Sequence, residues 1–194
     1  MLALALCRRT GEYEGWCLNS LGDSLIFLGR FDEAVGHLLS ALEVARAHAD
    51  VWLTAHTLEN LAPAYQALGR AEEAMESLRQ ARVIFRDLDY AYGEGLVLDK
   101  LANIHHSLCR FDDAIAVGVE ASALHAEAGN RLGEASTLDV LARSLEGAGR
   151  PAEARAHRLR ALGILEELGH PDAEVRQAQL AATDDPAGPE AAGP

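Results

Sequence analysis

The sequence predicts an all-α chain of stacked helical hairpins, and three observations predict it. The chain matches itself under a shift of 40 residues, its apolar residues recur at spacings of three and four, and a Gly-Arg turn returns once per period. "LGRFDEA" occupies residues 28–34, and "LGRAEEA", "LCRFDDA" and "AGRPAEA" follow at 68–74, 108–114 and 148–154. Arg30, Arg70, Arg110 and Arg150 are common to all four copies. Agreement at many positions in four copies is the signature of a repeat architecture.

Each element follows from that alignment. Residues 1–9, "MLALALCRR", read as the end of a second helix whose first helix is missing. The array is therefore expected to begin in mid-repeat, through truncation or behind a preceding domain of a parent protein. Repeats are expected at about 12–50, 51–90, 91–130 and 131–170. Within them Leu18, Leu58, Leu98 and Leu138 align, as do Leu21, Leu61, Leu101 and Leu141, then the small residues Gly22, Ala62, Ala102 and Ala142. That spacing is one face of an α-helix. Small residues at a recurring inward site let two helix backbones approach closely. Gly29, Gly69 and Gly149 suit the left-handed position that ends a helix. Asp32 and Glu33, Glu72 and Glu73, Asp112 and Asp113, and Glu153 follow at once, where carboxylates favour the positive end of the next helix. Pro151 stands where a helix start accepts proline. Residues 172–182, "DAEVRQAQLAA", read as a short polar capping helix that closes a solenoid over 1–182. Residues 183–194, with three prolines and no large apolar side chain, read as a disordered tail.

Composition narrows the function classes. The 194 residues carry a formal net charge of −13 and a single lysine, Lys100. Such a chain repels phosphate backbones and anionic lipid, so direct nucleic-acid binding is not expected. No stretch approaches 18 uninterrupted apolar residues, and the six-residue apolar start lacks preceding basic residues, which excludes a membrane span and a signal peptide. Cys7, Cys17 and Cys109 are odd in number, and their spacings fit neither a zinc site nor a disulfide frame, which suits reduced thiols in a cytoplasmic setting.

No catalytic or cofactor motif is present. The sequence lacks G-x-x-x-x-G-K-[ST], G-x-S-x-G, C-x-x-C and H-E-x-x-H. His105 and His106 are adjacent on a helix and point about 100° apart, too far to share an ion. His105 falls at an inward site and is expected to pack. The Gly-Arg arginines are expected to lie over their turns and pair with nearby acids at low energetic value. No enzyme, metal or cofactor is therefore expected.

Stretches such as "LNSLGDSLIFLGRFDEA" and "LENLAPAYQALGRAEEA" resemble the tetratricopeptide repeat family, in a 40-residue variant of its usual 34-residue unit. HEAT repeats share the longer period, but the small residue after the paired leucines and the Gly-Arg-x-x-[ED]-Ala turn fit them less well. The resemblance implies a right-handed α-α superhelix. The variant also looks like the C-terminal sensor arrays of large bacterial regulators of the actinomycete antibiotic-regulatory type and of their relatives with signalling ATPase modules.

In that family the first helices line a concave groove. By carry-over the groove should hold Trp16, Asn19, Asp23 and Phe27, then His56, Glu59 and Gln66, then Leu96, Asp99, Asn103 and His106, then Ser136, Asp139, Arg143 and Glu146. Asn19, Glu59, Asp99 and Asp139 would form a mostly acidic line favouring a cationic partner. Pro63, inside a first helix, is expected to kink it and to free the carbonyl of Glu59. The resemblance implies an interaction scaffold or sensor module of a signalling or transcriptional regulator, binding a peptide, a partner domain or another copy of itself. The alternative is a receptor for a small ligand or peptide pheromone, with a pocket of Trp16, Phe27, His56 and His106.

Overall fold

The structure, a computed structural model, describes residues 13–184. The expected helix at 1–9 and most of the expected disordered tail lie outside the described residues. Those described are helical throughout, in the order α1 (Glu14–Phe27), α2 (Phe31–Ala47), α3 (Val51–Ala67), α4 (Ala71–Asp87), α5 (Ala91–Ser107), α6 (Phe111–Glu127), α7 (Arg131–Gly147), α8 (Pro151–Glu167) and α9 (Asp172–Asp184). No strand occurs among the described residues. Helices α2 to α8 are each 17 residues long and are joined by three residues. The period of 40 is thus two half-periods of 20.

One joint, used after each helix from α1 to α8, sets this metre. In the first, the Gly29 N–H donates to the Ile26 carbonyl and the Arg30 N–H to the Leu25 carbonyl, both at 2.9 Å. These two bonds satisfy carbonyls that the helix end leaves open, and they need a left-handed residue between them. Gly29, Gly69 and Gly149 supply it, with φ of 72°, 73° and 74°. Cys109 supplies it in the third copy at φ 55° without the freedom of glycine, as do Ala49 and Asp89 between repeats. The last joint residue also opens the next helix. Arg30, Arg70 and Arg150 give it no side-chain cap; they fork instead onto the glutamate three residues on. Arg30 Nε and Nη2 reach Glu33 at 2.7 and 2.6 Å, and Arg70–Glu73 and Arg150–Glu153 repeat the pair. These pairs are solvated and contribute little stability; they fix the arginine over its turn. Asp50 and Asn130 are ordinary caps, accepting from Leu53 N and Gly133 N at 2.9 and 3.0 Å.

The helices form two compact units, Met1–Ile104 and His105–Pro194. In the first, α1 packs on α2, α2 on α3, α3 on α4, and α1 also meets α3. In the second, α6 packs on α7, α7 on α8, and α8 on α9. The recurrent leucines and alanines are the core: Leu18, Leu58, Leu98 and Leu138 are all buried, as are Ala34, Ala74, Ala114 and Ala154. A Cβ on Gly22 would stand 2.5 Å from Leu38 Cγ, so the small residue does admit a close neighbour. Helix α3 continues through Pro63 with the same length as its neighbours. In α9, Ala178 and Ala181 stand where α7 buries Leu138 and Leu141, and both alanines are exposed.

Candidate partner-binding face

The first unit brings several expected groove residues together. Trp16, near the start of α1, lies 6.1 Å from the His56 ring of α3. His56 is also stacked on Trp52, one turn earlier in its own helix, at 6.2 Å and 21°, and meets Phe85 edge-on at 5.2 Å. Trp52 in turn meets Tyr90, and Tyr90 meets Tyr92. Both tryptophans of the chain and two of its four tyrosines share this network. Trp16, Trp52 and Tyr92 remain about 40% exposed. Trp52 was not among the expected residues. Its signal lay in the same 40-residue superposition, which aligns it with Tyr92 and Leu132, each exposed at the second position of a first helix.

Other expected residues part company with this cluster. Phe27 is on α1 but eleven residues beyond Trp16, about 16 Å along the axis, and is almost wholly exposed. It cannot share a pocket with Trp16 and His56, which corrects the four-residue pocket of the receptor reading. Asp23 is exposed. Asn19 is buried, its Oδ1 accepting from Asn60 Nδ2 at 3.3 Å. Gln66 and Asn103 line a cleft of about 320 Å³ with Ala62, Pro63, Lys100 and Ile104. Asn103 Nδ2 donates to the Asp99 carbonyl at 2.9 Å, and Asp99 and Leu96 are half-buried.

The acidic line is not a row of open carboxylates. Glu59 is buried; Lys100 Nζ donates to its Oε1 at 2.7 Å and His56 Nδ1 lies 3.5 Å from its Oε2. Burial disfavours the charge on Glu59, but the contacts with His56 and Lys100 outweigh it and hold its pKa below the usual carboxylate range. In the second unit Asp139 is paired with Arg176 of α9, and Arg143 Nε lies 3.6 Å from it. Arg158 Nη2 donates to Glu146 at 2.7 Å. A helical wheel reveals a residue's face, not the cation that a neighbouring helix presents, and this is why the sequence suggested free charge here.

His106 Nδ1 is 3.1 Å from Ser144 Oγ. The Ser144 hydroxyl already donates to the Val140 carbonyl at 2.8 Å, so it accepts from His106, whose proton is on Nδ1 and whose Nε2 carries the lone pair when neutral. Burial, then the charge of Arg143, lowers the His106 pKa. Ser136 is exposed. His105 is mostly buried, with Nδ1 3.8 Å from Asp113. Cys109 is a free, exposed thiol. Among the described residues no cluster of histidine, cysteine and acidic side chains could hold a metal ion, and no helix is long and apolar enough to cross a membrane.

A family model, the tetratricopeptide repeat, matches residues 17–87 and 93–167. The chain belongs to the tetratricopeptide repeat family. Among curated proteins no sequence matches it. Solved structures share the fold. BtubC (BKLC) from P. vanneervenii is 22% identical with a TM-score of 0.73, over 81% of this chain and 66% of its own. A Rap protein complexed with competence and sporulation factor is 19% identical with a TM-score of 0.67, over 94% of this chain and 56% of its own. A signal transduction ATPase with numerous domains from Pyrococcus horikoshii, which has a tetratricopeptide repeat sensor, is 17% identical with a TM-score of 0.73, over 89% of this chain and 26% of its own. The chain thus spans less than two thirds of the length of each of these three proteins.

Proposed function

We propose that the chain is a non-catalytic protein-interaction module that receives a peptide or a partner domain on the face built by its first helices. One observation carries this reading: Trp16, Trp52 and Tyr92, from α1, α3 and α5, leave about 40% of their surface in water. Large aromatic side chains held by their neighbours yet open to solvent are the groups that dominate protein interfaces. The groove residues carried over from the family belong to this proposal unit by unit, Trp16, His56 and Gln66 in the first and His106 and Arg143 in the second.

The finer role is that of a sensor arm in a bacterial cytoplasmic regulator of signalling or transcription. The sensor repeats of the Pyrococcus horikoshii ATPase support it by likeness of fold. Self-association through the same face is the competing use. The receptor reading draws on the Rap protein, whose structure is a complex with competence and sporulation factor.

Selection of displayed peptides on the full chain, followed by calorimetry, tests the proposal. Ligands lost on Trp16→Ala and Trp52→Ala are expected. If no peptide or protein is retained, or if retained ligands ignore both tryptophans, the interaction face lies elsewhere and the reading fails.

A further inference from the structure

Beside Trp16 the first unit opens a cavity of about 330 Å³. Its lining includes Tyr13 and Trp16, Val44 and Leu53, and Glu14 and Asp50, together with His48. We propose that this cavity is a receptor for an arginine side chain of the partner, an inference that rests on the interaction reading above and names the chemistry of what is bound.

Each part of an arginine meets a fitting wall. The three methylenes of its stem need apolar surface, which Val44 and Leu53 provide. The planar guanidinium stacks on aromatic faces and is attracted by their negative quadrupole, most strongly by indole. Trp16 is prepared for that contact, because its Nε1 donates to Asp50 Oδ2 at 3.2 Å. A hydrogen bond to a carboxylate pushes electron density into the indole and fixes the ring. The same carboxylate is fixed from the other side, since its Oδ1 accepts from Leu53 N at 2.9 Å. Each oxygen keeps a second lone pair for a guanidinium N–H. The fold shows the stacking geometry once already, with Arg70 Cζ 4.4 Å above the Tyr65 ring.

Charge argues the same way. The chain's net charge of −13 draws a cationic segment toward it, and near Trp16 the wall adds Glu14 and Asp50. A purely apolar occupant would strip water from the Asp50 carboxylate without bringing it a counter-charge, which disfavours it.

The chain has two tryptophans, so Trp52→Phe leaves Trp16 as the sole indole reporter. The probe is the blocked peptide acetyl-Gly-Gly-Arg-Gly-Gly-amide, titrated into the full chain at low salt. A saturating change in Trp16 fluorescence, with a dissociation constant on the order of 1 mM, is expected. The counterpart with citrulline, a neutral isostere, is expected to bind at least about tenfold more weakly, because it lacks the charge. Asp50→Asn keeps one oxygen for the helix cap but places an NH2 where Oδ2 accepted from Trp16 Nε1, so it removes the charge together with that bond, and it should weaken the arginine peptide by a similar factor. Thermal melts confirm that the variant folds. Equal binding of the arginine and citrulline peptides, no response to either, or indifference to Asp50→Asn in a folded variant overturns the assignment. Peptides from the selection above that bind without arginine and without Asp50 overturn it too, while leaving the interaction module intact.

Discussion

Lys100 Nζ lies 2.7 Å from Glu59 Oε1, so the single lysine of the chain neutralises a buried carboxylate 41 positions away and ties α5 to α3. Removing one partner of a buried pair is worse than removing both, because the remaining charge keeps its desolvation cost. Lys100→Met should destabilise by about 3 kcal/mol, and Lys100→Met with Glu59→Leu by distinctly less. Urea midpoints of the two variants check the order. The pair also predicts an acid effect. The folded pKa of Glu59 is depressed, so its stabilisation is complete above the unfolded value of about 4.3 and is lost as pH falls through the folded value below it. Glu59→Gln should flatten that part of the stability–pH curve.

Glu94 offers a test of burial against solvation. It is buried at the start of α5, with Arg82 Nε at 3.0 Å and Arg86 Nε at 3.2 Å from Oε1. Arg82 is the more buried of the two arginines. Arg82→Met should therefore cost about 3 kcal/mol, whereas Arg86→Met should cost under about 1 kcal/mol. Equal losses in chemical denaturation would show that both arginines share the carboxylate equally.

Cys109 holds a left-handed backbone that three sister turns assign to glycine. A side chain in that region costs about 1–2 kcal/mol, partly offset by the extra freedom glycine has when unfolded. Cys109→Gly should stabilise the protein by roughly 0.5–1 kcal/mol, read as a rise in melting temperature. Gly69→Ala should move it the other way.

His106 should titrate below the ordinary histidine value of about 6.5 and, when neutral, carry its proton on Nδ1. Nitrogen-15 chemical shifts of the ring read both properties. Because the folded pKa is lowered, the unfolded chain binds more protons between the two values. Stability tied to His106 is thus full above about pH 6.5 and falls as pH drops through the folded value. Ser144→Ala removes the acceptor and should erase the tautomer preference.

The fold was readable from the chain because its determinants are local. Paired leucines, small residues and left-handed glycines each act within one hairpin or its joint, and a shift of 40 exposes them together. The candidate face was only half readable. Trp16 and His56 do meet, since equivalent positions of successive first helices lie on one side. Phe27 carries the same helical phase as the groove yet sits at the opposite end of α1, because phase says nothing of height. Glu59 and Asp139 looked open because their cations, Lys100 and Arg176, belong to other helices. The cap Asp50, which fastens Trp16, gave no signal in the repeat pattern. No local rule links positions 34 apart in sequence.

Seventeen residues of helix and three of joint leave no slack. Losing one residue inside any of these helices would turn everything beyond it by about 100°, carrying leucines into water and arginines into the interior. Losing 40 would return each surviving side chain to an equivalent address. Viable length changes in such a chain therefore come in whole quanta, and partner specificity can be rearranged by shuffling complete modules long before it can be tuned by trimming one.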